Sequence, residues 1–189
     1  MKFEEGYISK NGSNLKSDEK EKNDYDNFAV TNTSTANPIY KNNDILLQNL
    51  KKIIDDYEVI SFDIFDTLIV RPYMKPVDLF KHIELLYNVT GFAESRTKVE
   101  REVRRMNYKI KDDITLDEIY EQIDSKYQWL KEKELSLEYH GSKTRLFIKN
   151  IYDYVYQKNK KIIVISETYL SKSFITDLLK KNGYTHFDH

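Results

Sequence analysis

Two short apolar stretches of this chain end in residues that can do chemistry. Glu58-Val-Ile-Ser-Phe-Asp63 runs into Asp63-Ile-Phe-Asp66-Thr67, and Ile162-Ile-Val-Ile-Ser166 runs into Ser166-Glu167-Thr168. A carboxylate at the tip of a buried strand is a nucleophile where a cation offsets both its desolvation and the charge of the substrate. A hydroxyl at a neighbouring tip holds a phosphate oxygen, and backbone N–H groups in the turn after the first strand bind the others. On spacing alone a second role stays open, because Asp commonly caps strand ends and turns.

These residues need two adjacent strands, and the pattern supplies them. Both stretches are short, β-branched and without a helical stripe, which is the signature of buried strands. Helices surround them. Leu46, Leu50, Ile53 and Ile54 make one stripe from about Asp44. Leu79, Phe80, Ile83, Leu86 and Tyr87 make another behind Pro76, which suits a first helical turn. Val99, Val103 and Met106 form the seam of a helix over 92–108. Thr115-Leu-Asp-Glu118 has capping-box spacing and opens a helix with Ile119, Tyr120 and Ile123 inward. A fourth helix is expected within 127–139 and a fifth over 143–157, with Phe147, Ile151, Tyr154 and Val155 on one side. The last spans 171–181, with Gly183 as its stop. Apolar strands alternating with amphipathic helices predict an α/β domain with a parallel sheet. The nearly hundred residues between the strands far exceed a crossover, so about four helices form an insert after the first strand. In open parallel sheets the ligand crevice lies beyond the carboxyl ends of the strands, so this insert would roof it.

Composition excludes several classes. The chain has 189 residues, with 30 Lys and Arg against 31 Asp and Glu, giving a formal net charge of -1 and no general pull towards nucleic acid. Zero cysteines exclude disulfides, thiolate metal sites and a cysteine nucleophile. The five glycines fit neither a dinucleotide fingerprint nor a Walker phosphate loop. No apolar run approaches the roughly 18 residues of a membrane span, and MKFEEGYISK lacks a signal-peptide core, so no membrane association and a cytoplasmic location are expected. The first 43 residues hold 12 apolar residues and eight asparagines without period, and read as a disordered polar tail. Tyr25, Phe28, Val30, Ile39 and Tyr40 are the residues that would make it a docking arm instead. The expected division is a tail over 1–43, a core over 44–70 and 141–189, and a helical insert over 71–140.

Phe62-Asp-Ile-Phe-Asp-Thr-Leu68 resembles the first motif of the haloacid dehalogenase-like hydrolase superfamily, an Asp-x-Asp-x-Thr pattern ending an apolar strand. Ile163-Val-Ile-Ser166 resembles its second motif. With Arg71-Pro72, Ser166-Glu-Thr-Tyr-Leu170 and a Phe-Ile-x-x-Leu-Leu helix, the chain looks like the branch of predicted hydrolases associated with glycosyltransferases and surface-polysaccharide genes. The resemblance implies a partial Rossmann-like sheet with an inserted all-helical cap. It implies phosphoryl transfer through an aspartyl-phosphate on Asp63, with Asp63 and the Phe65 main-chain carbonyl binding Mg²⁺. Thr67 would hold the turn and Ser166 the transferring phosphoryl group of a phosphorylated small molecule or sugar phosphate.

Two departures from the family pattern shape the expectation. The usual general acid, two residues after the nucleophile, is Phe65, so a good leaving group is required; Asp66 is the alternative acid or a turn-stabilising carboxylate. The basic third motif and acidic fourth motif have no counterpart after the second strand, where Tyr184-Thr-His-Phe-Asp-His189 follows and Asp188 falls in a last turn. An N-terminal portion of such a hydrolase, with little or no activity, is therefore expected. Two other readings stay open: a non-catalytic pseudoenzyme or adaptor binding a partner such as a glycosyltransferase, and a metal-independent dehalogenase, suggested by Phe65. The basic run Arg96, Lys98, Arg101, Arg104, Arg105, Lys109 and Lys111 reads as a solvated helix face partly paired with Glu94, Glu100 and Glu102. The four histidines, His82, His140, His186 and His189, lack metal-ligand spacing.

Overall fold

The computed structural model describes residues 43–110 and 113–188. The expected tail, its five docking residues and Lys111 lie outside them, apart from Asn43, the first residue of the first helix. In chain order the elements are α1 (Asn43–Asp55), β1 (Val59–Phe62), β2 (Ile69–Val70), α2 (Pro76–Tyr87), α3 (Phe92–Asn107) and α4 (Leu116–Gln122). A 3₁₀ helix (Ser125–Leu130), α5 (Lys131–Gly141), β3 (Lys143–Thr144), α6 (Leu146–Gln157), β4 (Lys161–Val164) and α7 (Lys172–Lys181) complete it. The protein is mixed α/β, as the alternation of apolar strands and amphipathic helices predicts.

β1 and β4 pair in parallel, with Val59 opposite Lys161 and Phe62 opposite Val164. Phe62, Ile162 and Val164 are buried in this small sheet, which packs against α6, and α6 in turn carries α1. On the other side of β4 the chain returns after α7. The Val164 N–H donates to Asp188 O at 2.9 Å and the Asp188 N–H to Ile162 O at 2.9 Å. Asp188 is thus bridged to Ile163 in parallel register, rather than sitting in a last turn as the sequence suggests. Backbone groups on the free edge of β4 need partners, and the returning chain supplies them.

A second pairing was not foreseen. β2 and β3 are antiparallel, Ile69 opposite Thr144 and Val70 opposite Lys143, so the two ends of the helical insertion meet at one neck. Lys143–Thr144 is therefore strand, and the helix expected from 143 begins at Leu146. Two-residue strands carry no readable alternation, which is why neither was visible. Inside the insertion α2 packs on α3 and α5, and α3 on α4. Pro76 opens α2, and Thr115 and Glu118 form the expected capping box: the Thr115 N–H donates to Glu118 Oε2 at 2.8 Å and the Glu118 N–H to Thr115 Oγ1 at 3.3 Å. Gly183 stands at φ +82, in the left-handed region that ends helices.

Most predicted stripes are buried, with two exceptions. On α1 only Ile54 is buried, while Leu46 and Ile53 are exposed; on α3 Met106 is exposed where Val99 and Val103 are not. No helix among the described residues is long and apolar enough to cross a membrane.

Candidate functional site

Asp63 directly follows β1, and Ser166 stands two residues beyond β4. The Ile165 N–H donates to Phe62 O at 3.0 Å, extending the parallel ladder by one step and bringing both polar tips to the same carboxyl edge. Asp63 is exposed and Ser166 half-buried. The Thr67 hydroxyl donates to Asp63 Oδ2 at 3.1 Å, fixing the carboxylate across the turn. That turn is tight: the Ile69 N–H donates to Ile64 O at 3.0 Å, and Asp66 takes φ +57. Asp is one of the few residues besides Gly that adopts this conformation at small cost.

Remote segments hold the turn. Leu68 O accepts from the Arg145 N–H at 3.0 Å and from the Tyr184 hydroxyl at 2.6 Å. The Arg145 guanidinium donates to Asp66 O. Arg71, its side chain 21% exposed, lies with its guanidinium carbon 4.4 Å from the Phe65 ring centroid. It is 3.8 Å from Asp66 Oδ2 and 4.0 Å from Glu138 Oε1. Glu138 is buried and accepts from the Ser142 hydroxyl at 3.4 Å. Burial pushes its carboxyl up to about 7, against the opposing pull of Arg71.

The structure also corrects the reading of the basic run. Arg96 is not on a solvated face: it is fully buried, and its Nε and Nη2 donate to the two carboxylate oxygens of Glu134 at 2.9 and 2.8 Å. Burial alone would lower the Arg96 pKa, but the Glu134 carboxylate reverses this and leaves the guanidinium more firmly charged. Tyr120 donates to Glu134 Oε2 at 2.7 Å, and the rings of Phe80 and Tyr169 lie 4.7 and 4.9 Å from the guanidinium. Tyr169 belongs to the loop after β4, and its carbonyl accepts from the Leu116 N–H at 2.9 Å. The helical insertion is therefore tied to the loop that carries Ser166. Arg104 pairs with Glu100 and Asp113, while Lys98, Arg101 and Arg105 line an open groove of about 890 Å³ between α2 and α3. None of Asp63, Phe65, Thr67 or Ser166 lines it.

The arrangement thus brings together the four residues singled out from sequence, Asp63, Phe65, Thr67 and Ser166, around one sheet edge. Arg71, Arg145 and Glu138 are the additions. Nothing in their spacing marks them, since each reaches the turn through the neck between β2 and β3. What the fold and edge define is a mixed α/β protein with a carboxylate and a hydroxyl on adjacent strand tips, and two guanidinium groups at Asp66 in the turn after the first. No family model matches the chain, and no curated protein matches it.

Proposed function

We propose that the chain is a haloacid dehalogenase-like hydrolase, acting by phosphoryl transfer to Asp63 in a Rossmann-like core whose helical insertion serves as a cap. The observation that supports this reading best is the shared edge. Asp63 and Ser166 end neighbouring parallel strands, and the Thr67 hydroxyl orients the Asp63 carboxylate. An oxygen of Asp63 attacks phosphorus and Ser166 hydrogen-bonds a phosphoryl oxygen, while the Thr67 and Ile69 N–H groups are spent on Ile64 O and hold the turn itself.

Magnesium fits this site poorly. Asp63 and the Phe65 carbonyl offer two of the roughly six oxygens that Mg²⁺ requires. No group of three or more His, Cys, Asp or Glu that could hold a metal occurs among the described residues. Charge balance from this chain's own groups therefore falls to Arg71 and Arg145, and turnover is expected to be low.

The test is phosphate release from p-nitrophenyl phosphate by the full chain and by Asp63→Asn. Slow release that falls to background in the variant supports the reading. Release that persists unchanged in Asp63→Asn overturns it.

A further inference from the structure

We propose that Arg71 is the leaving-group clamp of the Asp63 site, and that the site is built for phosphoanhydrides rather than alkyl phosphate esters. This deepens the phosphoryl-transfer reading above and rests on it.

Among the residues of the turn after β1 and the side chains that hold it, none is placed to hand a proton to a departing alcohol. Phe65 carries none. The Thr67 hydroxyl is donated to Asp63 itself. Arg71 and Arg145 stay charged and give hydrogen bonds but no proton. Asp66 turns its carboxylate towards Arg71, and the Glu138 carboxyl, although held up to about 7, is 4% exposed, too buried for a departing alcohol to meet. An alcohol departing from phosphorus needs a proton, and its supply is worth roughly 10² to 10⁴ in rate. A departing phosphate does not, because with a second pKa near 6 it leaves as a stable anion at neutral pH. Such a leaving group is best met by a fixed cation that recognises planar or tetrahedral oxygens, the task to which a guanidinium is suited.

Arg71 is free to do this. Its two carboxylate neighbours lie at 3.8 and 4.0 Å, beyond hydrogen-bond distance, so neither has captured its donors. The Asp66 side chain is 74% exposed, where an ion pair is weak and easily exchanged for a ligand anion. The Phe65 ring holds the guanidinium by a cation–π contact, which uses no N–H group. The aromatic residue is thus the seat of the cation, and it stands two positions after the nucleophile in the turn that follows β1.

An Asp63 carboxylate oxygen bonds to the terminal phosphorus of the anhydride while the bond from that phosphorus to the bridging oxygen breaks. The electron pair stays on the bridging oxygen, now a terminal oxygen of the departing phosphate beside Arg71. Water then attacks the aspartyl-phosphate and the bond to Asp63 breaks. Inorganic phosphate leaves, the carboxylate is regenerated, and the surplus proton passes to solvent.

The experiment compares ADP with glycerol phosphate as substrates of the full chain, alongside Arg71→Gln, Arg71→Lys and Asp63→Asn, with melting curves confirming that each variant folds. ADP should be preferred by about 100-fold in kcat/KM. Arg71→Gln should lower ADP turnover by about 100-fold and glycerol phosphate turnover by no more than about tenfold, with Arg71→Lys in between. Where turnover is too slow to measure, ADP binding by titration calorimetry decides: a loss of about tenfold or more in Arg71→Gln and Arg71→Lys supports the clamp. Equal use of both substrates, or ADP turnover and binding indifferent to Arg71, overturns it. Phosphate release that survives Asp63→Asn instead sinks the phosphoryl-transfer reading, so the two failures are told apart.

Discussion

Arg96 and Glu134 face each other through two hydrogen bonds of 2.9 and 2.8 Å, with side chains no more than 2% exposed. They join α3 to α5 inside the insertion, and the ring of Tyr169 brings the loop after β4 to the same guanidinium. A buried pair of this kind contributes little net stability by itself, but removing one partner strands the other charge. Because Arg96 also donates to Glu100 at 3.0 Å, the sharper single variant is Arg96→Met, which leaves the Glu134 carboxylate buried without its guanidinium and should lower unfolding free energy by about 3–5 kcal/mol. The double variant Arg96→Met with Glu134→Leu should recover most of that loss. Urea unfolding of the three proteins checks the order; a double variant as unstable as the single one would show that the pair fixes geometry as well as charge.

Glu138 gives the protein a pH dependence. Its carboxyl is held up to about 7 against an ordinary 4.5, by burial first, with Glu134 and Asp66 adding to the rise and Arg71 and the Ser142 hydroxyl opposing it. Between those values the folded chain binds more protons than the unfolded one, so this contribution falls as pH rises through that window and levels off above about 7. The size is on the order of 3 kcal/mol. Melting curves from pH 4.5 to 8 should show the decline, and Glu138→Gln should flatten it.

How much of this was legible follows from range. Asp63, Thr67 and Ser166 could be placed because each ends or follows a strand whose composition is local. The Thr115–Glu118 box was legible for the same reason, its partners being three residues apart. Arg96 was misread because a guanidinium on a charged helix looks alike whether it faces water or Glu134, which lies 38 positions away. Arg71 was visible only as a letter in a familiar string. Its nearness to Glu138 depends on the neck between β2 and β3, and two-residue strands leave no periodic trace.

Tyr184 ties the returning chain to the turn after β1. Its hydroxyl, fully buried, donates to Leu68 O at 2.6 Å, and its ring meets that of Tyr152 edge-on at 4.9 Å. Tyr184→Phe keeps the packing and removes only the donor. Because Leu68 O retains the Arg145 N–H, the loss should be about 1 kcal/mol, whereas Tyr184→Ala should cost about 3–5 kcal/mol. Chemical denaturation measures both. Equal losses would mean that the hydroxyl and not the ring carries the contact.

Asp66 separates backbone from charge at the site. At φ +57 it accepts a conformation that Asn shares and β-branched residues resist. Asp66→Asn should leave unfolding free energy within about 0.5 kcal/mol, since the exposed ion pair with Arg71 is weak. Asp66→Val should lose about 1–3 kcal/mol from strain alone. The electrostatic consequence is opposite in sign. Without the carboxylate at 3.8 Å, Arg71 presents a less compensated cation, and ADP should bind a few-fold more tightly to Asp66→Asn than to the parent chain. Titration calorimetry at low ionic strength gives the comparison, and the gain should shrink as salt is added. Weaker ADP binding in Asp66→Asn would instead make the Asp66 carboxylate part of how Arg71 is positioned, with its charge supporting the site.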